Sequence, residues 1–82
     1  MKDVLTSRAR RVASNIRKIR EYKNYTQDYL AAKLDISQNA YSKIELGYSK
    51  ISLERLFQIS EVLEIDSVKL IAIENGDISD VL

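Results

Sequence analysis

The stretch of residues 26–47, TQDYLAAKLDISQNAYSKIELG, determines the fold that we expect for this chain. Its apolar residues recur at intervals of three and four, which places their side chains on one face of a helix. The pattern predicts two short helices, over residues 27–34 and 38–45, separated by only three residues. The rest of the chain is interpreted outward from this closely joined pair.

The ends of both predicted helices carry suitable residues. Thr26 and Ser37 are expected N-caps, because their hydroxyls can accept hydrogen bonds from the N–H groups that open a helix. Asp35 is among the few non-glycine residues that tolerate the left-handed conformation, so it can end the first helix. Gly47 is the glycine expected just past the end of the second helix.

The second predicted helix has a polar outward face, while Tyr41 and Ile44 are expected to face inward. The outward residues are Gln38, Asn39, Ser42 and Lys43. A helix fits the major groove of B-DNA, where amides pair with adenine and lysine pairs with guanine. An ordinary solvated face is the alternative, but the preceding helix, turn and cap favour a surface that contacts base pairs.

Motifs on both sides of this stretch extend the pattern. They are NIRKIR at 15–20, TQ at 26–27, ISQ at 36–38, SKIE with a following glycine at 42–47, and SLERL at 52–56. Together they resemble the Cro/C1-type (XRE) family of helix-turn-helix transcriptional regulators, over about residues 12–70. The resemblance implies an all-α, five-helix, lambda-repressor-like DNA-binding domain with its helix-turn-helix at helices 2 and 3.

The resemblance also implies a set of DNA-binding residues. They are Gln27, Ser37, Gln38, Asn39, Ser42, Lys43, Ser49 and Lys50. Gln38 is the expected adenine contact, and Gln27 is expected to bind a phosphate and support Gln38. In proteins of this family, an arginine of the first helix pairs with a glutamate at the end of the third. The corresponding residues here, Arg20 and Glu45, are therefore expected to form a structural ion pair.

Three residues depart from the family pattern. Asp35 stands where glycine is common, and Leu46 stands where a polar residue that contacts the DNA backbone is frequent. Tyr41 occupies an inward position usually held by valine or isoleucine, so its hydroxyl needs a polar partner, solvent or the DNA backbone.

Length and charge agree with one DNA-binding domain over residues 1–82. The chain has no Cys, so no disulfide can stabilise it and helices or a partner must do so. It also has no Pro, so little interrupts helix formation. Residues 1–50 contain 11 Lys or Arg and 5 Asp or Glu, whereas residues 51–82 contain 2 and 7. This separation suggests one face for a polyanion and another turned away from it, against the alternative of chance clustering.

The flanking segments are assigned more coarsely. Residues 1–7 are expected to form a loose N-terminal arm before a first helix that begins at Ser7 or Arg11 and ends at Tyr22. The first helix should bury Val12, Ile16 and Ile19, with Ala13 and Tyr22 beside them.

The fourth helix, capped by Ser52, is expected to have an inward face and to carry Phe57 on its flank. The inward residues are Leu53, Leu56, Ile59, Ser60 and Leu63. Arg8, Arg10 and Arg11 either contact DNA as a basic arm or belong to a frayed terminus or the first helical turn.

Residues 66–82 are expected to hold helix five, capped by Asp66 and spanning about residues 67–74, and a short tail. Its apolar side chains are too many to face one small core, and an exposed apolar patch usually marks an interface. The expected homodimer interface consists of Val68, Ile71, Ile78, Val81 and Leu82.

Other function classes receive little support. The chain has no His, no Cys, no paired carboxylates and no Gly-rich phosphate loop, so we expect neither an enzyme nor a metal or cofactor site. No apolar run reaches the roughly 20 residues of a membrane span, and a cytoplasmic location without a small-molecule ligand is expected. The expected function is a DNA-binding transcriptional regulator of the repressor or controller type that acts as a homodimer on a palindromic operator. An antitoxin or protein-interaction adaptor with the same fold is the alternative.

Overall fold

The computed structural model describes residues 2–74 and 77–79. In these residues the protein is all-helical, which confirms the expected five-helix fold. The helices are α1 (Lys2–Tyr22), α2 (Gln27–Leu34), α3 (Gln38–Glu45), α4 (Leu53–Leu63) and α5 (Ser67–Ala72). None of them combines the length and apolar character that a bilayer crossing requires.

The predicted caps fix the ends of the short helices. The Thr26, Ser37 and Ser52 hydroxyls each accept a hydrogen bond of 3.0 Å from the N–H three residues later, a contact typically worth about 1 kcal/mol. Asp66 caps α5 through its carboxylate, as expected. Asp35 takes the predicted left-handed conformation with φ 58°, so α2 and α3 have the predicted bounds.

Helix α1 begins earlier than the sequence led us to expect. It starts at Lys2, so residues 2–7 are helical and do not form the expected loose arm. Residues 2–22 contain neither Gly nor Pro, and a helix without such an interruption continues until another feature ends it. Arg8, Arg10 and Arg11 therefore lie on a helix, with exposed side chains.

The core lies between α1 and helices α3, α4 and α5, and α2 closes it by packing against α3 and α4. Its buried apolar residues are Ile16, Ile19, Leu30, Ala31, Leu34, Tyr41, Ile44, Leu56, Ile59, Leu63, Leu70 and Ile73. Two expected inward residues are exposed, with Tyr22 at 63% and Leu53 at 65% of their surface. Each lies at the end of its helix, Tyr22 as the last residue of α1 and Leu53 as the first of α4.

A buried polar residue joins α1 to α5. Asn15, which is 1% exposed, donates hydrogen bonds from Nδ2 to the carbonyl oxygens of Leu70 at 3.0 Å and Ile73 at 3.1 Å. These carbonyls lie in and just beyond the last turn of α5, where the helix supplies no N–H partners. Asn15 therefore fixes the position of α5 on α1.

Fewer apolar side chains of the C-terminal segment are exposed than we expected. Helix α5 ends at Ala72, Leu70 and Ile73 enter the core, and Ile78 is half-buried against it. Val68 and Ile71 remain exposed, at 71% and 45%. Val81, Leu82 and the predicted helix stop at residues 75–76 lie outside the described residues.

Candidate nucleic-acid interface

The predicted base-contacting residues lie on the outward face of α3. Gln38, Asn39 and Lys43 are exposed and Ser42 is half-buried. Within the described residues, none of these four side chains forms a hydrogen bond or ion pair with the protein. The protein thus presents two amides, a hydroxyl and an ammonium group on one face without using them for its own fold.

The inward face of α3 is held by a single buried carboxylate. Glu45 accepts hydrogen bonds from Arg20 Nε at 2.6 Å and Nη2 at 3.0 Å, from the Tyr41 hydroxyl at 2.5 Å, and from Gln27 Nε2 at 3.1 Å. The donors come from α1, α3 and α2, so this carboxylate joins three helices. The expected Arg20–Glu45 pair is present, and Tyr41 finds its polar partner inside the protein.

Opposing effects act on the protonation of Glu45. Burial by itself would raise the pKa of this carboxyl group, but the hydrogen bonds from Arg20, Tyr41 and Gln27 outweigh it and lower the pKa below its usual value. The hydrogen bond to Glu45 raises the pKa of Arg20. The pair is therefore charged at neutral pH, and each partner compensates the other's burial.

Gln27 has a different contact from the one expected. Its side-chain nitrogen is directed to Glu45, at the C-terminal end of α3, and not to Gln38 at the N-terminal end. In place of the expected support for Gln38, Gln27 contributes to the buried network. It is half-buried at the start of α2, beside the cap residue Thr26.

Ser37 has the capping role that was expected of it. Its Oγ accepts a hydrogen bond from the N–H of Ala40 at 3.0 Å. Because a serine hydroxyl can donate one hydrogen bond while it accepts another, its proton is free to reach an acceptor outside the protein. Ser37 is exposed, immediately before Gln38.

The loop after α3 contains the other two predicted site residues. Gly47 has φ 77°, and the N–H groups of residues 46–48 return to carbonyls of α3. The next three N–H groups, of residues 49–51, form no hydrogen bond within the described part of the chain. Ser49 is half-buried and Lys50 is exposed, so the loop presents free donors beside a cation.

Arg55 forms a contact between helices that was not expected from the sequence. Its Nη1 donates to the carbonyl oxygen of Leu34 at 3.3 Å and to Gln58 Oε1 at 3.1 Å. Leu34 ends α2, so Arg55 links α4 to the turn of the helix pair. The sequence gives no local signal for this contact, because its partner lies 21 residues away.

Comparison with known proteins agrees with this geometry. A protein-family model described as Helix-turn-helix matches residues 16–70, two thirds of the chain. The chain belongs to the Cro/C1-type helix-turn-helix family. This is a family of DNA-binding transcriptional regulators. The match confirms the family resemblance found in the sequence motifs.

The helix-turn-helix protein also has a curated relative in Bacillus subtilis (strain 168). The two are 32% identical over 65 residues, and the relative is named an uncharacterized HTH-type transcriptional regulator, YqaE. The alignment covers 79% of this chain and 56% of the relative, so the chain spans about half of the relative's length.

Within the described residues, no group of three or more His, Cys, Asp or Glu side chains is placed to hold a metal ion.

Proposed function

We propose that this helix-turn-helix protein is a sequence-specific regulator of transcription, of the repressor or controller type, that binds a palindromic operator as a homodimer. One observation carries the proposal. Within the described part of the chain, the outward side chains of α3 form no hydrogen bond with the protein, while its inward face is fixed by the buried Glu45 network. A rigid helix with an unused polar face is suited to the major groove of DNA.

In this docking class the first helix of the motif lies across the DNA backbone and the second enters the major groove. Here α2 takes the first position and α3 the second. Gln38, in the first turn of α3, is suited to pair with an adenine, and Lys43 with a guanine one turn later. Each good bidentate pair is worth about 1–3 kcal/mol of discrimination.

Asn39 and Ser42 complete the proposed base-contacting set. The backbone contacts come from Ser37 at the start of α3 and from Ser49 and Lys50 in the following loop. Gln27 is placed less favourably for a phosphate than the sequence suggested, because its side-chain nitrogen is already held by Glu45. Its exposed portion lies at the N-terminus of α2, which faces the backbone in this docking class.

The homodimer would form through the exposed side chains of α5. Val68 and Ile71 are large apolar residues that the protein's own core leaves in solvent. Burying them against a second copy removes apolar area from water at about 25 cal/mol per Å². A two-fold axis would then place two α3 helices about one helical turn of DNA apart.

The proposal is tested by selecting bound sequences from a pool of random duplex DNA. We expect a symmetric motif whose half-sites are centred about 10 base pairs apart. Gln38→Ala should relax the preference at one position of each half-site. Its matched control is Gln58→Ala, an exposed glutamine on α4, which should leave the motif unchanged.

Two results would contradict this proposal. The first is the absence of any salt-dependent binding to duplex DNA at low ionic strength, which would favour the adaptor function instead. The second is a motif that Gln38→Ala and Gln58→Ala alter to the same extent, because the outward face of α3 would then have no special role.

A further inference from the structure

The early start of α1 brings a basic residue to the loop that follows α3. Arg10 lies against Gly47, with its Cγ 3.1 Å from the position that a Cβ on this glycine would occupy. Arg10 and residues 47–51 of the loop line one groove on the protein surface. Because Arg10 projects from a helix, its position relative to the loop is set by packing and not by a mobile arm.

Arg10 and Lys50 are both available to bind an anion. Both are exposed, and neither forms an ion pair within the described residues. Other arginines of α1 differ, since Arg17 lies 3.5 Å from Glu21 and Arg20 is bound to Glu45. Among the residues that the structure describes, no acidic side chain lines the groove.

The backbone of the loop adds uncharged donors at the same place. The N–H groups of residues 49–51 form no hydrogen bond in the described part of the chain. Successive N–H groups that lack internal partners form an anion-binding concavity when they face one ligand. Two free cations and this run of N–H groups therefore border one groove.

We propose that Arg10 is a DNA-backbone contact that acts together with the loop of residues 49–51 and with Lys50 on phosphates next to the half-site bound by α3. This inference rests on the proposed function and adds α1 to the elements that contact DNA. The bound chemistry is a phosphodiester oxygen. The contact positions the domain on the duplex and carries no base preference of its own.

Salt dependence of affinity measures this contact directly. Each neutralised phosphate contributes about 0.9 to the slope of log K against log salt concentration for B-DNA. Arg10→Ala should therefore lower the slope by about 1 and weaken binding about five- to tenfold at 0.1 M salt. Arg10→Lys should keep most of the slope, and the sequence motif selected by Arg10→Ala should equal that of the unaltered protein.

Arg8→Ala is the matched control. It removes the same charge from the same helix, but at 100° per residue it lies 160° around α1 from Arg10, nearly on the opposite face. It lines a different groove, with Val4, Ser7 and Arg11. We expect its salt slope to equal that of the unaltered protein, and the urea midpoints of both variants will show that each is folded.

Three outcomes would overturn the inference. Arg10→Ala could leave the slope unchanged while the unaltered protein binds duplex DNA, which would remove this contact and leave the proposed function intact. Equal decreases for Arg8→Ala and Arg10→Ala would reduce the effect to net charge. Failure of the unaltered protein to bind any duplex at low salt would overturn this inference together with the proposed function.

Discussion

The hydroxyl of Tyr41 donates a hydrogen bond of 2.5 Å to the carboxylate of Glu45, one turn further along α3. Tyr41 is fully buried, at a position where the family usually has an aliphatic residue. Burial first, and then the neighbouring carboxylate, raise the pKa of Tyr41 well above its ordinary value. The phenol therefore stays protonated and serves as a fixed donor to the ion pair.

Removing this donor should be costly although the ring remains. Tyr41→Phe keeps the shape of the side chain but deprives a buried carboxylate of one hydrogen bond. Hydrogen bonds to charged groups contribute about 1.5–3 kcal/mol, so we expect a loss of that size in the free energy of unfolding in urea. Tyr48→Phe, at a 75% exposed tyrosine, should change it by less than about 0.5 kcal/mol. Equal effects at the two tyrosines would show that the phenol of Tyr41 contributes nothing.

The Arg20–Glu45 pair should be strongly non-additive. Arg20→Leu leaves a carboxylate that is only 7% exposed without its cation, which we expect to cost about 3–5 kcal/mol. Glu45→Leu leaves a buried guanidinium and should cost as much. The double variant buries neither charge, so its urea midpoint should lie above that of either single variant. A double variant whose loss equals the sum of the two single losses would mean that the partners act independently.

Stability should depend on pH through Glu45. Its pKa in the folded protein lies below the unfolded value of about 4.3, so the unfolded chain binds more protons over the interval between them. The stabilisation is fully present above the unfolded value and is lost as pH falls through the folded value. Urea unfolding at a series of pH values below about 5 should show this loss.

Glu45→Gln should flatten that acidic dependence, because a glutamine does not titrate there. Glu61→Gln, at an exposed position of α4, is the control and should keep the slope of the unaltered protein. If the Glu45→Gln protein lost stability on acidification as steeply as the unaltered one, the dependence would have to come from other carboxyl groups.

Asn15 should be required for the docking of α5. Asn15→Ala leaves the buried carbonyl oxygens of Leu70 and Ile73 without a donor, at a cost of about 1–3 kcal/mol. Amide hydrogen exchange of α5 should accelerate more than that of α2 and α3. Asn39→Ala removes an exposed amide that has no hydrogen bond to any described residue, and it is expected to leave exchange unchanged. A uniform acceleration after Asn15→Ala would contradict a local role.

Dimerisation should depend on the exposed apolar residues of α5. Val68→Glu places a charge in the proposed interface but exposes nothing in the monomer, where Val68 is 71% exposed. We expect the measured mass in solution to fall to that of one chain, with the urea midpoint of the monomer preserved. Binding to a full palindrome should weaken far more than binding to one half-site. Glu61→Gln should leave the mass unchanged, and a dimer that persists in Val68→Glu would place the interface elsewhere.

Local signals in the sequence predicted the helix pair well. Thr26, Ser37 and Asp35 act within three or four residues of their partners, so the bounds of α2 and α3 followed from side-chain chemistry. The Arg20–Glu45 pair joins residues 25 positions apart and was predicted only through the family resemblance. The outward orientation of Gln38, Asn39 and Lys43 was expected from helical spacing, and these three residues are exposed.

Contacts between distant residues account for what was missed. The buried role of Asn15 depends on partners 55 and 58 positions away, which no local pattern indicates. Gln27 was expected, from the family resemblance, to support Gln38, yet its side chain donates to the charged carboxylate of Glu45, 18 positions away. The basic residues near the N-terminus suggested an arm, but they lie on an uninterrupted helix, which places Arg10 against the loop after α3.

The two faces of α3 have separate tasks. Tyr41, Ile44 and Glu45 hold the helix in place, while the side chains at 38, 39, 42 and 43 form no hydrogen bond or ion pair with any residue that the structure describes. Substitutions at those four positions therefore carry little cost in folding free energy. Under the proposed function, target choice can therefore diverge there, in natural descendants or in a designed library, on an unaltered scaffold.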